Sequence, residues 1–128
     1  MLADRGLAPA LEALARRSTV PVELDLRLNG RLPKQVETGS YFVAAEVLTN
    51  VARYAGATHA CVSVSDAGGV LTLEVSDDGV GGAEPERGSG LRGLTDRVAA
   101  LDGELTVDSP LGRGTRVTAR IPYLGSRA

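Results

Sequence analysis

Side chains that build aromatic cores and disulfides are scarce in this sequence. Its 128 residues include no tryptophan, one phenylalanine, three tyrosines and one cysteine. Because aromatic residues make up only 3% of the chain, the core must be aliphatic. The single cysteine, Cys61, excludes an internal disulfide and suits a reducing compartment. No apolar run approaches the roughly 18 residues of a membrane helix, and no signal peptide is visible.

The charge balance excludes a further class of function. The formal net charge is −2 at pH 7, with 14 basic and 16 acidic residues. The chain therefore lacks the positive excess with which a nucleic-acid surface neutralises phosphates. A hydrophobic content of 43% and a charged content of 23% are typical of a globular protein. The length suits a single domain that spans residues 1–128.

Three stretches have the periodicity of amphipathic helices. The first is Leu7 to Arg17, and the second is a long stretch from Leu32 to about Ala55. Gly39-Ser40 lies inside the long stretch, so two helices with a break between them are an alternative there. The third helix begins at Leu91 and ends at Asp102-Gly103, because its apolar residues recur at helical spacing up to that point.

Five stretches read as strands, and most of them alternate between apolar and polar residues. A sheet with that alternation has one buried face and one face in water, so helices can cover only one side of it. The sequence therefore predicts a two-layer α/β sandwich of the α+β class and not a doubly wound fold. The predicted strands are Val22 to Leu28, Ala60 to Ser65, Val70 to Ser76, Leu105 to Val107 and Thr115 to Ile121.

The third strand delivers a carboxylate onto its apolar face. Asp77 has the same parity as Leu71, Leu73 and Val75, so all four side chains point to the same side. A carboxylate in that position is costly to bury unless something donates hydrogen bonds to it. Glycines follow directly, and they let a backbone or a ligand approach closely. We interpret this point as a binding site, and we interpret Asp78, on the opposite face, as solvated and not functional.

A second candidate group lies on the long helix. At 100° per residue, Glu46, Asn50 and Arg53 fall within about 60° of arc, with Tyr54 at its edge. A polar stripe on an amphipathic helix is the ordinary explanation. Asparagine, however, has a poor helix propensity, and an acid, an amide and a base together can bind a divalent metal and a phosphate.

Two weaker signals complete the set. Glycines at 88, 90 and 93 lead into a helix N-terminus, where free N–H groups favour an anion. Such spacing is weak evidence on its own. A Rossmann dinucleotide site is rejected, because a long loop separates these glycines from the preceding strand and the strand pattern contains no βαβ unit. No Walker A lysine follows the glycines. Thr115 has the parity of the buried residues of the last strand, although strand preference alone also explains it.

These motifs, in this order, resemble the GHKL (Bergerat-fold) ATPases. Within this superfamily, the sequence is most similar to the ATP-binding catalytic domains of two-component sensor histidine kinases. The segment from Gly90 to Val98 resembles the NarL/DesK-like subfamily of these kinases. The matching segments are the N box Glu46 to Ala55, the first glycine box Asp77 to Gly81, the second glycine box Gly88 to Leu94 and the closing motif Gly112 to Thr115.

The resemblance implies the architecture of the Bergerat fold. It implies a mixed, mostly antiparallel five-stranded sheet with three helices on one face. Residues 1–18 would form an N-terminal helix that follows a dimerisation domain outside this sequence. Residues 78–90 would be the ATP lid, and residues 123–128 a disordered tail.

The resemblance also implies roles for individual residues. Asp77 would accept a hydrogen bond from the adenine amino group, and Thr115 would support that contact. Asn50 would ligate Mg²⁺, and Glu46 would orient the metal or the attacking imidazole.

Further residues of these motifs would contact the nucleotide. Arg53 would reach a phosphate, and Tyr54 would border the base or the ribose. The residues that would shape the lid and its phosphate-facing backbone are Gly79, Gly81, Gly88, Gly90, Leu91 and Gly93.

The implied function is binding of Mg-ATP and transfer of its γ-phosphoryl group to a histidine. The only histidine, His59, precedes a strand, so the acceptor would belong to a separate dimerisation domain and the isolated domain would not phosphorylate itself. A response regulator would be the further partner. The domain would be cytoplasmic and monomeric, without nucleic-acid or membrane contacts, even if the parent kinase is membrane-anchored. The alternatives are a stand-alone serine kinase of the anti-sigma-factor type and a degenerate nucleotide-binding interaction module.

Overall fold

The computed structural model describes residues 6–28, 32–51, 57–79, 91–109, 112 and 114–123. These residues form three helices and five strands. The helices are α1 (Leu7–Arg17), α2 (Lys34–Asn50) and α3 (Leu91–Ala99). The strands are β1 (Val22–Arg27), β2 (Ala60–Ala67), β3 (Val70–Asp77), β4 (Glu104–Asp108) and β5 (Thr115–Pro122).

The strands form one mixed sheet in the order β1-β2-β3-β5-β4. Only β1 and β2 are parallel, and the other three pairs are antiparallel. The β2–β3 hairpin turns at Gly68 and Gly69, which both have positive φ as a two-residue turn of this kind requires. The predicted mixed, mostly antiparallel sheet with three helices is confirmed.

The core lies between one face of this sheet and the helices. Along β3 every second residue, Leu71, Leu73 and Val75, is buried, and the residues between them are only half-buried. The antiparallel partners of these three residues on β5 are also buried, so apolar residues line the same face. Those partners are Ile121, Ala119 and Val117. The predicted alternation of a core face with a polar face is confirmed.

The long helix α2 is continuous through Gly39-Ser40, so the alternative of two helices is wrong. Glycine at this position does not break the helix, and the side chain of Leu101 packs closely against it. A Cβ atom at position 39 would lie 2.6 Å from Cδ1 of Leu101. The missing side chain therefore lets the segment after α3 approach α2 closely. The expected end of this helix near Ala55 falls outside the described residues.

One polar group in the core has no hydrogen-bond partner among the described residues. The hydroxyl oxygen of Ser40 lies at the centre of the buried face of α2, where the residue is 0% exposed. An unsatisfied buried hydroxyl costs about 1 to 3 kcal/mol relative to an apolar group of similar shape. We expect Ser40→Ala to raise the free energy of unfolding by about 1 kcal/mol, measured by urea denaturation.

Thr38→Ala is the matched control for this substitution. Thr38 lies in the same helix but is exposed, so its replacement changes helix propensity without removing a buried hydroxyl. A Ser40→Ala protein that is less stable than the parent would contradict this prediction and would show that the hydroxyl contributes favourably to folding.

The C-terminal end of the described chain, the lid and the helix lengths bear on other expectations. Tyr123, which we assigned to the tail, donates its backbone N–H to the Gly69 carbonyl at 2.8 Å and packs against the core. Residues 124–128 lie outside the described residues, as do residues 80–90 of the expected lid. Within the described part of the chain, the helices are all too short or too polar to cross a membrane.

Candidate functional site

Asp77 lies where the core face of the sheet ends. It is the last residue of β3, with Ala60 of β2 on one side and Thr115 of β5 on the other. Residues directly opposite one another in a sheet point to the same face. Asp77 and Thr115 therefore replace the apolar pair that would otherwise continue the core. The predicted proximity of these two residues is confirmed.

The Asp77 carboxylate is held by backbone donors. The N–H of Gly79 donates to Oδ1 at 2.7 Å, and the backbone N–H of Thr115 is a second donor. Burial is the largest influence on the pKa of Asp77 and raises it above its ordinary value, and the negative charge of Asp78 raises it further. The two backbone hydrogen bonds lower the pKa but do not reverse the shift. A carboxylate offers about four acceptor positions, so a ligand donor can still be accommodated.

Gly114 holds the other side of this turn by close backbone contact. Its φ is +80°, and a Cβ atom at this position would lie 2.1 Å from the Asp77 carbonyl oxygen. No side chain fits in that gap. The next residue, Thr115, has its hydroxyl oxygen 2.6 Å from that of Ser109. The turn before β5 therefore orients the Thr115 hydroxyl, and Ser109 had no recognisable signal in the sequence.

The N-box residues lie near the C-terminal end of α2. Glu46 and Asn50 are one turn apart and half-buried, whereas Val47, Leu48 and Val51 are buried in the core. The helix thus presents an amide and a carboxylate together, away from its core side, as predicted. Nine residues, 51–59, connect Asn50 to Ala60, the β2 neighbour of Asp77. This short connection ties the end of α2 to the strand next to Asp77.

The oxygen atoms of Asn50 and Glu46 fit a magnesium ion that takes most of its ligands from water and substrate phosphates. Oxygen ligands are what Mg²⁺ prefers, and it commonly binds one or two protein groups plus water and substrate phosphates. Among the described residues, no group of three or more His, Cys, Asp or Glu side chains could hold a metal alone. An amide oxygen of Asn50 with the Glu46 carboxylate one turn away suits such a shared ion.

Helix α3 packs against α2 at a point away from Glu46 and Asn50. The guanidinium of Arg97 lies 3.8 Å from the centroid of the Phe42 ring, a cation–π contact between the two helices. Gly93, in the first turn of α3, is exposed and would have open space around an added Cβ atom. Folding of the described residues therefore does not require glycine at position 93.

The structure describes only some of the predicted site residues. Arg53, Tyr54, Gly81, Gly88 and Gly90 lie outside the described residues. Leu91 begins α3, but only its backbone is described. Their roles stay predictions.

Asp78 is exposed, as predicted, but it is more than a solvated side chain. Its Oδ1 accepts the backbone N–H groups of Thr58 at 2.8 Å and His59 at 3.1 Å. Its Oδ2 accepts the Thr58 hydroxyl and lies 3.0 Å from Nδ1 of His59. Parity along the strand placed Asp78 on the outer face correctly, but it gave no sign that residues 58 and 59 would meet it there.

A separate cleft lies between α1 and α2. It is on the opposite flank of α2 from Asn50, because Tyr41, Ala45 and Leu48 line it. The Arg17 guanidinium donates to the Tyr41 hydroxyl across it at 3.1 Å. The cleft has no acidic lining residue, so the chemistry predicted for this protein is assigned to the Asp77 side.

Comparison with known proteins gives one family. Residues 35–125 match the family described as "Histidine kinase-, DNA gyrase B-, and HSP90-like ATPase". That range contains all of α2 except its first residue, Lys34, and every strand except β1, together with Asp77 and Thr115. The match therefore covers the whole candidate site.

Individual relatives agree with the family match. The chain is 34% identical to the sensor histidine kinase MctS of Rhizobium johnstonii over 99% of this chain and 30% of that protein. It is 30% identical to the sensor histidine kinase ComP of Bacillus subtilis over 94% of this chain and 17% of that protein. The chain thus spans less than a third of the length of these relatives.

A solved structure has the same fold. The blue-light activated histidine kinase EL346 of Erythrobacter litoralis superimposes with a TM-score of 0.72 at 25% identity. The similarity covers 95% of this chain and 42% of that one. The sheet order and the helical layer described above are therefore those of a histidine kinase ATPase domain.

Proposed function

This chain belongs to the histidine kinase-, DNA gyrase B-, and HSP90-like ATPase family, and we propose that it is the ATP-binding catalytic domain of a sensor histidine kinase. Membership in the family implies that it binds ATP. The relatives named above are sensor histidine kinases, which supports the kinase over the serine-kinase alternative. A NarL/DesK-like parent is further supported by the second glycine box, Gly88 to Leu94, and by the residues that follow it up to Val98.

The observation that carries this proposal is the position of Asp77. A carboxylate at the end of a core face, held by the N–H groups of Gly79 and Thr115, is an acceptor oriented before any ligand binds. We assign to it the amino group of adenine. The neighbouring Thr115 hydroxyl, oriented by Ser109, is placed to support the same base.

The phosphates are assigned to the other half of the site. Asn50 would hold Mg²⁺ with Glu46 orienting it, and Arg53 would contact a phosphate, with Tyr54 beside the base or ribose. The chemistry that Mg²⁺ supplies when bound is neutralisation of charge on the phosphates during transfer. The glycines of the lid, Gly79, Gly81, Gly88, Gly90 and Gly93, would let the backbone approach the nucleotide, with Leu91 beside them.

The proposed reaction is an in-line transfer that relies on positioning. A bond forms between a histidine nitrogen and the γ-phosphorus, and the bond to the β–γ bridging oxygen breaks, releasing ADP. His59 is a poor candidate for that acceptor, because it precedes β2 and contacts Asp78. We therefore assign the acceptor to a separate dimerisation domain and a response regulator to the parent kinase. The cytoplasmic location is proposed for this domain, whether or not the parent kinase is membrane-anchored.

Phosphotransfer to a dimerisation domain tests the proposed function. The chain would be incubated with labelled ATP, Mg²⁺ and a purified histidine-containing dimerisation domain from a sensor kinase of this kind. We expect label on that partner that is lost in acid and retained in base, as for phosphohistidine. Acid-stable label on a protein serine would favour the anti-sigma-factor type instead. Absence of any thermal shift with Mg-ATP would favour a degenerate module.

Replacement of Asn50 tests the metal assignment. We expect Asn50→Ala to abolish the gain in ATP affinity that Mg²⁺ provides, a loss of about tenfold, because an oxygen ligand of the ion is removed. Affinity measured in EDTA should stay unchanged. Isothermal titration with and without Mg²⁺ separates the two quantities.

Thr49→Ala is the matched control for Asn50. Thr49 is the preceding residue, is exposed, and its hydroxyl donates to the Ala45 carbonyl within the helix. Its replacement should leave the magnesium effect intact. Equal losses in both variants would mean that the end of α2 is perturbed and that Asn50 has no special relation to the metal.

A further inference from the structure

Asp78 joins two segments of the chain that the sheet alone would leave apart. The β2–β3 ladder ends with the pair Ala60 and Asp77. Beyond it, the Asp78 carboxylate makes the four contacts with Thr58 and His59 described above, and the Asp78 N–H donates to the His59 carbonyl at 3.4 Å. The side chain thus extends the connection between the strands by one residue.

The contacts of Asp78 with Thr58 and His59, which form a clamp, act on the turn 77–79 that orients Asp77. The Asp77 carboxylate depends on the N–H of Gly79, and rotation of the backbone at Asp78 would move that N–H. The Asp78 Cα is confined on the other side by Gly114, where an added Cβ would come within 3.3 Å of it. The turn 77–79 therefore packs between the segment Thr58–His59 on one side and the start of β5 on the other.

The charge of Asp78 suits a permanent contact. The hydrogen bond from the Thr58 hydroxyl, followed by the His59 and Thr58 N–H groups, holds the pKa of Asp78 well below its ordinary value. The carboxylate consequently stays ionised and keeps accepting these donors. Three donors therefore converge on this exposed carboxylate.

We propose that Asp78 is a positioning residue of the nucleotide site, whose clamp on Thr58 and His59 holds the 77–79 turn so that Asp77 faces the adenine amino group. This inference rests on the proposed function, because it assigns adenine to Asp77. It also links the base-binding end of β3 to the segment that follows Asn50 in the chain.

The test compares ATP with purine riboside triphosphate, which lacks only the 6-amino group. Wild-type chain should bind ATP more tightly than the analogue. In Asp78→Ala, the ATP affinity should fall about tenfold and the preference for ATP should approach one, because a displaced Asp77 no longer meets the amino group. Titrations at low temperature keep the variant folded.

Two further variants distinguish positioning from general destabilisation. Asp78→Asn retains an oxygen that can accept the Thr58 and His59 N–H groups, so it should keep the affinity within about threefold. Thr58→Val removes only the hydroxyl and should give an intermediate loss. Asp25→Ala is the control, since Asp25 is an exposed carboxylate on β1 that pairs with Arg27.

A measurement without nucleotide completes the test. The amide of Gly79 should lose protection from hydrogen exchange in Asp78→Ala, because its acceptor on Asp77 is displaced. Unchanged protection, or a lower melting temperature with an unchanged preference for ATP over the analogue, overturns the inference and leaves the proposed function standing. A wild-type chain that binds ATP and the analogue equally overturns the adenine assignment, and the inference with it.

Discussion

Asp77→Asn is expected to lower the affinity for ATP by roughly 10- to 100-fold without unfolding the protein. A hydrogen bond to a charged group contributes about 1.5 to 3 kcal/mol, and each 1.4 kcal/mol corresponds to a factor of ten. Asparagine keeps the size of the side chain. Its amide, however, carries no charge, and its NH₂ group opposes the adenine amino group if it turns toward the base.

Stability should respond in the opposite direction to affinity. Burial raises the pKa of Asp77 above its ordinary value of 3.8. The contribution of this group to stability is therefore fully present below pH 3.8 and is lost as the pH rises through the raised value. At neutral pH the charged form opposes folding, so Asp77→Asn should melt at the same temperature as the parent or slightly higher. ATP affinity should weaken on acidification, when the carboxylate is protonated.

Isothermal titration and thermal melting of the same samples check this expectation. The matched control is Glu74→Gln, which makes the same chemical change on the same strand. Glu74 lies on the opposite face and pairs with Arg116 at 3.0 Å. An Asp77→Asn protein with unchanged affinity would refute the adenine assignment. A large fall in its melting temperature would refute the account of its charge.

Gly114→Ala is expected to have the largest effect on folding, a loss of about 3 to 4 kcal/mol. A left-handed conformation costs an L-residue about 1 to 2 kcal/mol. The added Cβ would also lie 2.1 Å from the Asp77 carbonyl oxygen, so β3 and β5 must separate locally. Overpacking of this kind costs about 1 to 3 kcal/mol more.

Gly112→Ala separates the two contributions. Gly112 also has φ of +80°, but an added Cβ would meet nothing within 4 Å. We expect this variant to lose only the conformational part, about 1 to 2 kcal/mol. Urea denaturation gives both values. Equal losses for the two variants would show that contact with Asp77 is unimportant at Gly114.

Nucleotide binding adds a second readout for Gly114→Ala. Separation of the strands at this point displaces both Asp77 and Thr115, which are register partners. The folded fraction of Gly114→Ala should therefore bind ATP more weakly than the parent, whereas Gly112→Ala should not. A Gly114→Ala protein that binds normally when folded would place the base elsewhere.

Much of the architecture could be predicted because it depends on local periodicity. Alternation along β1, β2, β3 and β5 assigned the buried face correctly, since successive side chains of a strand point to opposite sides. The start and end of α1 were also predicted, at Leu7 and Arg17. Gly39 misled the prediction of α2, because glycine propensity carries no information about Leu101 packing against it from a distant segment.

The candidate site divides in the same way. Parity placed Asp77 and Thr115 on the core face, and helical spacing grouped Glu46 with Asn50. The resemblance to a family of ATPases was carried by motifs in order, and the family match confirms it. Arg53, Tyr54 and the lid glycines stay predictions.

The periodicity and the motifs were sufficient for the fold class, the buried face of the sheet and the family, because each depends on residues close together in the chain. Contacts between distant segments decided the rest. Ser109 meets Thr115 across a turn, Gly114 presses against Asp77, and Asp78 accepts donors about 20 residues earlier in the chain. Such contacts depend on strand order and register, which chain-local patterns do not encode. For that reason sequence parity alone described Asp78 as solvated, whereas the structure shows that its carboxylate accepts hydrogen bonds from a distant segment.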